Sequence, residues 1–196
     1  VIDLNTMSLV QKIKINGYCE KLLLKNNKLF YVDKLKNEIW AIELNNQYEL
    51  KDIGIFPNVS ALAFTNDKLY ITSRTKSRIA IIDYNTLGLI NEFTTVNKPL
   101  DMLIFDKTLY VLGAQNNEIQ KINIDNDQTI GTISLGVDGF SSGLSQIDDT
   151  NYAVSTDLKN NQYSIIDLAK GKLLKTYKLN VPIKDVIITN KVNLFD

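Results

Sequence analysis

Sliding the chain against itself by about 40 residues brings its apolar, aromatic and turn positions into register, and no other property restricts the possible folds so strongly. The segment Lys28-Leu29-Phe30-Tyr31-Val32-Asp33 returns as Lys68-Leu69-Tyr70-Ile71-Thr72-Ser73, Thr108-Leu109-Tyr110-Val111-Leu112-Gly113, Asn151-Tyr152-Ala153-Val154-Ser155-Thr156 and Lys191-Val192-Asn193-Leu194-Phe195-Asp196, with starts 40, 40, 43 and 40 residues apart. A second series runs Ile2-Asp3-Leu4, Ile42-Glu43-Leu44, Ile82-Asp83-Tyr84, Ile122-Asn123-Ile124 and Ile166-Asp167-Leu168, spaced by 40, 40, 40 and 44. The three prolines, Pro57, Pro99 and Pro182, each precede a first-series segment by about ten residues. Proline has no N–H to give to a strand ladder, so it marks the same inter-strand loop each time.

Within a unit the pattern is short-period and rich in β-branched and aromatic residues. The third unit reads as Leu100 to Phe105, a turn at Asp106-Lys107, Thr108 to Gly113, a polar loop at Ala114 to Asn117, Glu118 to Asn123, a turn at Asp125 to Asp127, and Thr129 to Leu135. The Asn, Asp and Gly at Asn26-Asn27, Asn66-Asp67, Asn45-Asn46 and Lys170-Gly171 tolerate the positive φ that tight hairpins require. Four antiparallel strands recurring at this period predict an all-β chain made of β-propeller blades. Complete blades are expected over 17–55, 57–95, 98–135 and 138–179, with 1–15 and 182–196 as complementary parts of a fifth. Two readings stay open for those ends: a closed five-bladed ring, or a fragment of a six- to eight-bladed propeller. The chain has no starting Met and no leader pattern, which suits a mature form, an excised domain or a fragment.

Composition narrows the functions. With 22 Lys plus Arg against 22 Asp plus Glu there is no net field to draw a polyanion, so nucleic acid is not an expected partner. Arg is the residue suited to bidentate phosphate recognition, and only Arg74 and Arg78 are present. The sequence contains no His, which removes Ser-His-Asp triads, zincin motifs and His-ligated haem from this stretch. Cys19 stands alone and is expected to act as a core residue, not a nucleophile. No apolar run approaches the roughly 18 residues of a membrane helix. Asn123 to Asp127 places oxygen side chains at alternate positions, as a calcium loop begins, but Gln128 and Ser134 stand where that loop needs Gly and Glu, so a hairpin turn is expected. Asn58-Val59-Ser60 is read as a chance sequon.

Leu69-Tyr70-Ile71-Thr72-Ser73 followed by Arg78-Ile79-Ala80-Ile81-Ile82-Asp83 resembles the YVTN repeat, whose blades read roughly L-Y-V-T-N, a small polar loop, then V-x-V-I-D. Leu109 to Gly113 followed by Glu118-Ile119, and the proline-led Pro99-Leu100-Asp101-Met102, are similar to the same family, and the resemblance covers nearly the entire chain. The closing Asn of the signature is replaced by Asp33, Ser73, Gly113 and Thr156, and the Trp-Asp and Gly-His pairs of WD-repeat propellers are absent. The resemblance implies a propeller, a periplasmic or cell-surface location, and no particular activity.

Loops after the second strands and loops leading into the first strands share one face of a propeller, where a rigid scaffold gathers variable side chains. The candidate partner-binding residues there are Asp33, Asn58, Arg74, Arg78, Asp101, Asp138 and Asp157, accompanied by Lys34, Lys36, Lys76, Gln115, Asn116 and Lys159. The paired arginines suit an acidic partner or a carboxylate. The expected function is a non-catalytic binding or scaffold module for a protein or other macromolecule, with no cofactor and no metal. The alternative is a lactonase-like or other hydrolase propeller, whose acids or metal would gather on the axis from Asn58, Asp101, Asp138 and Asp185. A third reading, a blade set within a redox protein whose cofactor ligands lie outside this stretch, rests only on the habits of propellers.

Overall fold

The computed structural model describes residues 1–181 apart from Asn16, Val137, Asp138 and Asp149, and among these residues there are eighteen strands and no helix. The strands form one two-stranded hairpin and four four-stranded antiparallel sheets, each a simple meander in chain order. The chain is an all-β propeller, and each four-stranded meander is one blade. Two compact units divide it at Pro57 and Asn58.

The first unit holds the hairpin β1 (Ile2–Asp3) and β2 (Ser8–Leu9), then blade 1: β3 (Cys19–Lys25), β4 (Lys28–Asp33), β5 (Glu38–Glu43) and β6 (Glu49–Ile55). The hairpin lies within residues 1–15, the expected first part of a partial fifth blade, and residues 182–196, the expected complement, lie outside the described residues. The second unit holds blade 2 with β7 (Val59–Phe64), β8 (Lys68–Ser73), β9 (Arg78–Asp83) and β10 (Leu89–Thr94). Blade 3 follows with β11 (Pro99–Phe105), β12 (Thr108–Gly113), β13 (Glu118–Asn123) and β14 (Gln128–Ser134), and blade 4 with β15 (Ser141–Gln146), β16 (Tyr152–Asp157), β17 (Gln162–Asp167) and β18 (Lys172–Lys178).

Burial follows strand order. The second strands are covered on both faces over most of their length, and so is the third strand β9, whose Ile79, Ala80, Ile81 and Ile82 are all buried. Fourth strands are edges, and they carry charged or amide side chains such as Lys51, Asp52, Asn91, Glu92, Lys172 and Lys175, which discourage further pairing. Between blades 2 and 3 the core gathers Tyr70, Ile79, Ile81, Met102, Leu109 and Ile122, and between blades 3 and 4 it gathers Tyr110, Leu112, Ile119, Leu144 and Ile166. Each such side chain contributes on the order of 1.5–3 kcal/mol on burial.

Three devices recur in every blade. The first strand skips one residue against the second, at Glu20, Ser60, Leu100 and Ser142, a bulge that bends the inner strand at its start. The residue before the third strand, Asn37, Ser77, Asn117 or Asn161, has φ between 49° and 58°. Its carbonyl accepts from the residue that follows the fourth strand, Phe56, Thr95, Leu135 or Leu179, at 2.7–2.9 Å. Finally, the residue after the third strand bonds back to the first hairpin: Leu44 to Asn27, Tyr84 to Asp67, Ile124 to Lys107, Leu168 to Asn151.

That last bond corrects the phase of the fourth repeat. Asn151 is the counterpart of Asn27, so Tyr152, not Asn151, opens the second strand, and the spacing is 44, in agreement with the second series. Asp157, not Thr156, is then the counterpart of Asp33, Ser73 and Gly113; each pairs with the first residue of the third strand. The cause is a longer first hairpin in blade 4, spanning Ile147 to Asn151 where blade 3 uses only Asp106 and Lys107.

Candidate functional site at the loop face

The connection into each first strand and the loop after each second strand are tied by one backbone hydrogen bond per blade. Lys34 N–H donates to the Tyr18 carbonyl, Arg74 to Asn58, Ala114 to Lys98 and Leu158 to Phe140, all at 3.0 Å. Together with the left-handed residue before the third strand, these bonds give the loops of each blade the same local frame while their sequences vary. Lys34, Leu35 and Lys36, Thr75 and Lys76, Gln115 and Asn116, and Lys159 are the side chains that the frame leaves exposed.

Asp33 and Asp157 close their second strands as buried caps. Oδ1 of Asp33 accepts from the Tyr18, Leu35 and Lys36 N–H groups at 3.2, 3.0 and 3.4 Å. Oδ1 of Asp157 accepts from Phe140, Lys159 and Asn160 at 2.9, 3.0 and 3.3 Å. Oδ2 of Asp157 takes the side-chain amides of Asn160, Gln162 and Asn117 at 2.9, 3.2 and 3.5 Å. The Asn117 Oδ1 in turn accepts from the Ser141 hydroxyl at 2.6 Å, so a buried polar network spans the boundary of blades 3 and 4. Gly139 leaves room for it, since a Cβ there would collide with the Asn117 amide.

The remaining candidates occupy different places on this frame. Asn58 adopts φ 53° at the approach to β7 and lends its carbonyl to Arg74. The Arg74 side chain is half-buried in the loop after β8, whereas Arg78 opens β9 and pairs with Glu92 on β10 at 3.2 Å. Asp101 lies on the inner strand β11: Oδ1 accepts from its neighbour Met102 at 2.9 Å, and Oδ2 accepts from Leu144 N–H on β15 at 3.0 Å. Its carboxylate therefore couples consecutive inner strands. Asp138 and Asp185 lie outside the described residues.

Sequence reasoning passed over Asn117 and Ser141. Asn117 was readable only as a loop amide beside Gln115 and Asn116, and its burial follows from the blade packed against it. Cys19 is half-buried, and burial first, then the Asp33 charge, pushes its thiol above the ordinary value, which disfavours the thiolate. Among the described residues no group of three or more His, Cys, Asp or Glu is placed to hold a metal ion, and no helix is long and apolar enough to cross a membrane.

No protein-family model and no curated protein sequence matches the chain. Solved structures do. Hsv2 from Kluyveromyces lactis aligns with a TM-score of 0.72 at 12% identity, covering 92% of this chain and 63% of its own. The Cps50 (Swd1) β-propeller domain of Myceliophteria thermophila gives 0.71 at 8% identity, covering 89% and 59%. Hydrazine synthase of Kuenenia stuttgartiensis gives 0.67 at 17% identity, covering 76% and 45%. The chain thus spans less than two thirds of each of these proteins, and at such identities the likeness concerns the propeller fold alone.

Proposed function

We propose that this propeller module is a non-catalytic binding unit whose loop face engages a protein or other macromolecular partner. One observation carries the reading: the described acids of these loops are committed to internal bonds. Asp33 and Asp157 cap loops, and Asp101, one of the acids expected on the axis, bridges β11 to β15, so these three carboxylates hold strands and loops in place. In the second unit the exposed charged side chains of these loops, Lys76 and Lys159, are cationic, with Arg74 half-buried in the same loop as Lys76, and they suit an acidic surface. The resemblance to YVTN repeats supports a periplasmic or cell-surface setting for such a partner.

The test compares wild type with the double variant Arg74→Glu, Lys76→Glu. Affinity capture on the immobilised chain is expected to retain an acidic partner that the variant loses, with the thermal midpoint unchanged and indifferent to calcium and chelator. A calcium-dependent rise in thermal midpoint that Asp101→Ala abolishes would overturn this reading in favour of a metal-dependent hydrolase.

A further inference from the structure

We propose that the cleft between blades 3 and 4 binds a carboxylate carried on an apolar stem. The cleft measures about 540 Å³, within the range of small-ligand sites, and opens beside the first hairpin of blade 3 and the last turn of blade 4, at the end of the strands opposite the loop face. It is a different surface from the one proposed above and does not depend on it.

The repeat shows what fills the corresponding space one blade earlier. In register, Thr108 corresponds to Lys68, Tyr110 to Tyr70, Lys121 to Ile81 and Gly171 to Asp127. Between blades 2 and 3 the Lys68 ammonium crosses to the Ile124 carbonyl at 3.2 Å. Asp127 places a carboxylate there with Oδ1 buried, near enough that its charge adds to burial in holding the Tyr70 phenol protonated. Between blades 3 and 4 both filling side chains are missing: threonine stands for the lysine and glycine for the aspartate.

The charge is reversed as well. Lys121 takes the place of Ile81, and its ammonium reaches the Gly171 carbonyl at 3.3 Å. A Cβ on Gly171 would lie 2.7 Å from that nitrogen, so the lysine addresses the very spot where the preceding boundary carries its aspartate. An ammonium has three donors; that carbonyl takes one, leaving two for a ligand carboxylate. Lys170 at the rim is paired with Asp167 at 3.3 Å and Asp106 also lines the cleft, so Lys121 is the cation that meets the ligand carboxylate, while Phe105 and Ile130 line the cleft with apolar surface. Tyr110 is already engaged, donating to the Leu168 carbonyl at 2.6 Å, and shapes the wall. The ligand this cleft fits is an organic acid or a Glu or Asp side chain next to an apolar group, because both present a carboxylate beside a hydrocarbon.

A backbone-amide NMR titration of the full chain tests it, with butyrate, a capped Glu-Leu dipeptide and inorganic phosphate as probes at constant ionic strength. Saturable shifts are expected at Thr108, Lys121, Ile130 and Gly171 with the two carboxylates. Lys121→Met is expected to weaken them at least tenfold, and Gly171→Asp to abolish them by supplying an internal carboxylate. Gly171 and Asp127 share φ 58°, so the backbone accepts that substitution. Equal affinity for butyrate and dipeptide identifies a free acid as the ligand, and a tenfold preference for the dipeptide identifies an acidic peptide. Non-saturating shifts, equal binding of phosphate, or unchanged binding in both variants would overturn the proposal.

Discussion

Asp33 in blade 1 and Asp157 in blade 4 occupy the same register and cap the same loop, yet they are not equally well satisfied. Both oxygens of Asp157 are used, by six donors in all. Oδ2 of Asp33 is buried with no hydrogen-bond partner among the described residues. The reason lies in their neighbours. Asn160 and Gln162, which serve Asp157, correspond to Lys36 and Glu38, and Glu38 is engaged with Trp40 at 3.1 Å and Lys36 at 3.9 Å. Asn117, the third donor, comes from the preceding blade. A repeat position thus specifies backbone geometry, while its energetic value depends on what the adjoining elements contribute.

The largest expected effect is at this pair. Asp157→Ala should cost about 3 kcal/mol or more, because it strands several buried amides, whereas Asp33→Ala should cost about 1 kcal/mol, since a poorly satisfied carboxylate is relieved as its cap is lost. Urea unfolding of both variants measures the difference, and equal costs would remove the asymmetry. The inner strands give the next contrast. Leu144 and Leu22 are counterparts that are 5% and 61% exposed. Leu144→Ala should cost about 2–4 kcal/mol and Leu22→Ala less than about 0.5 kcal/mol in the same measurement.

A smaller contrast sharpens the comparison between boundaries. Tyr110→Phe loses the bond to Leu168 and should cost about 1 kcal/mol, while Tyr70→Phe removes a buried hydroxyl that has no partner among the described residues and should be neutral or slightly stabilising. Thermal midpoints of the two variants decide it. Asp167 gives the smallest effect, visible in its pH dependence. The Lys170 backbone N–H, aided by that residue's ammonium, holds the Asp167 carboxyl below the ordinary carboxylate value despite some desolvation. A depressed folded-state value means that its stabilisation is complete above the unfolded value near 3.9 and is lost as pH falls through the folded one. Asn123 holds the corresponding turn of blade 3 without a charge, its Oδ1 accepting from Asp125 at 2.8 Å. Asp167→Asn should therefore lose less stability than wild type between neutral pH and about pH 3, read as the shift in urea midpoint.

Much of the architecture could be read along the chain because a blade is a local object. Its four strands are consecutive, several of its turns place Asn, Asp or Gly at positive φ, as at Asn26, Asp106, Asp127 and Gly171, and its second strands are buried over most of their length. The fourth repeat was legible except for one residue. Asn151-Tyr152 and Tyr152-Ala153 fit the apolar alternation equally well, and the backbone bond from Leu168 to Asn151 chose between them. The loop face was less legible. Asp157 stood out as an acid after a strand, but Asn117 and Ser141 look like any polar loop residues until a neighbouring blade buries them. Arg74 and Arg78 sit four residues apart in the chain, yet Arg78 is turned to Glu92 across its own sheet.

By itself the amino-acid sequence determined the blade: its period, its strand order, which strands are covered, and the absence of any imidazole to build chemistry upon. Those properties depend on contacts within about forty residues, so composition and spacing record them. Only the tertiary structure decided which carboxylates are caps, which boundary is filled and which is hollow. The meeting of Lys121 with Gly171, and of Asn117 with Asp157, joins residues that lie 50 and 40 positions apart. Such pairs leave no periodic trace, because their geometry is set by how one sheet packs on the next.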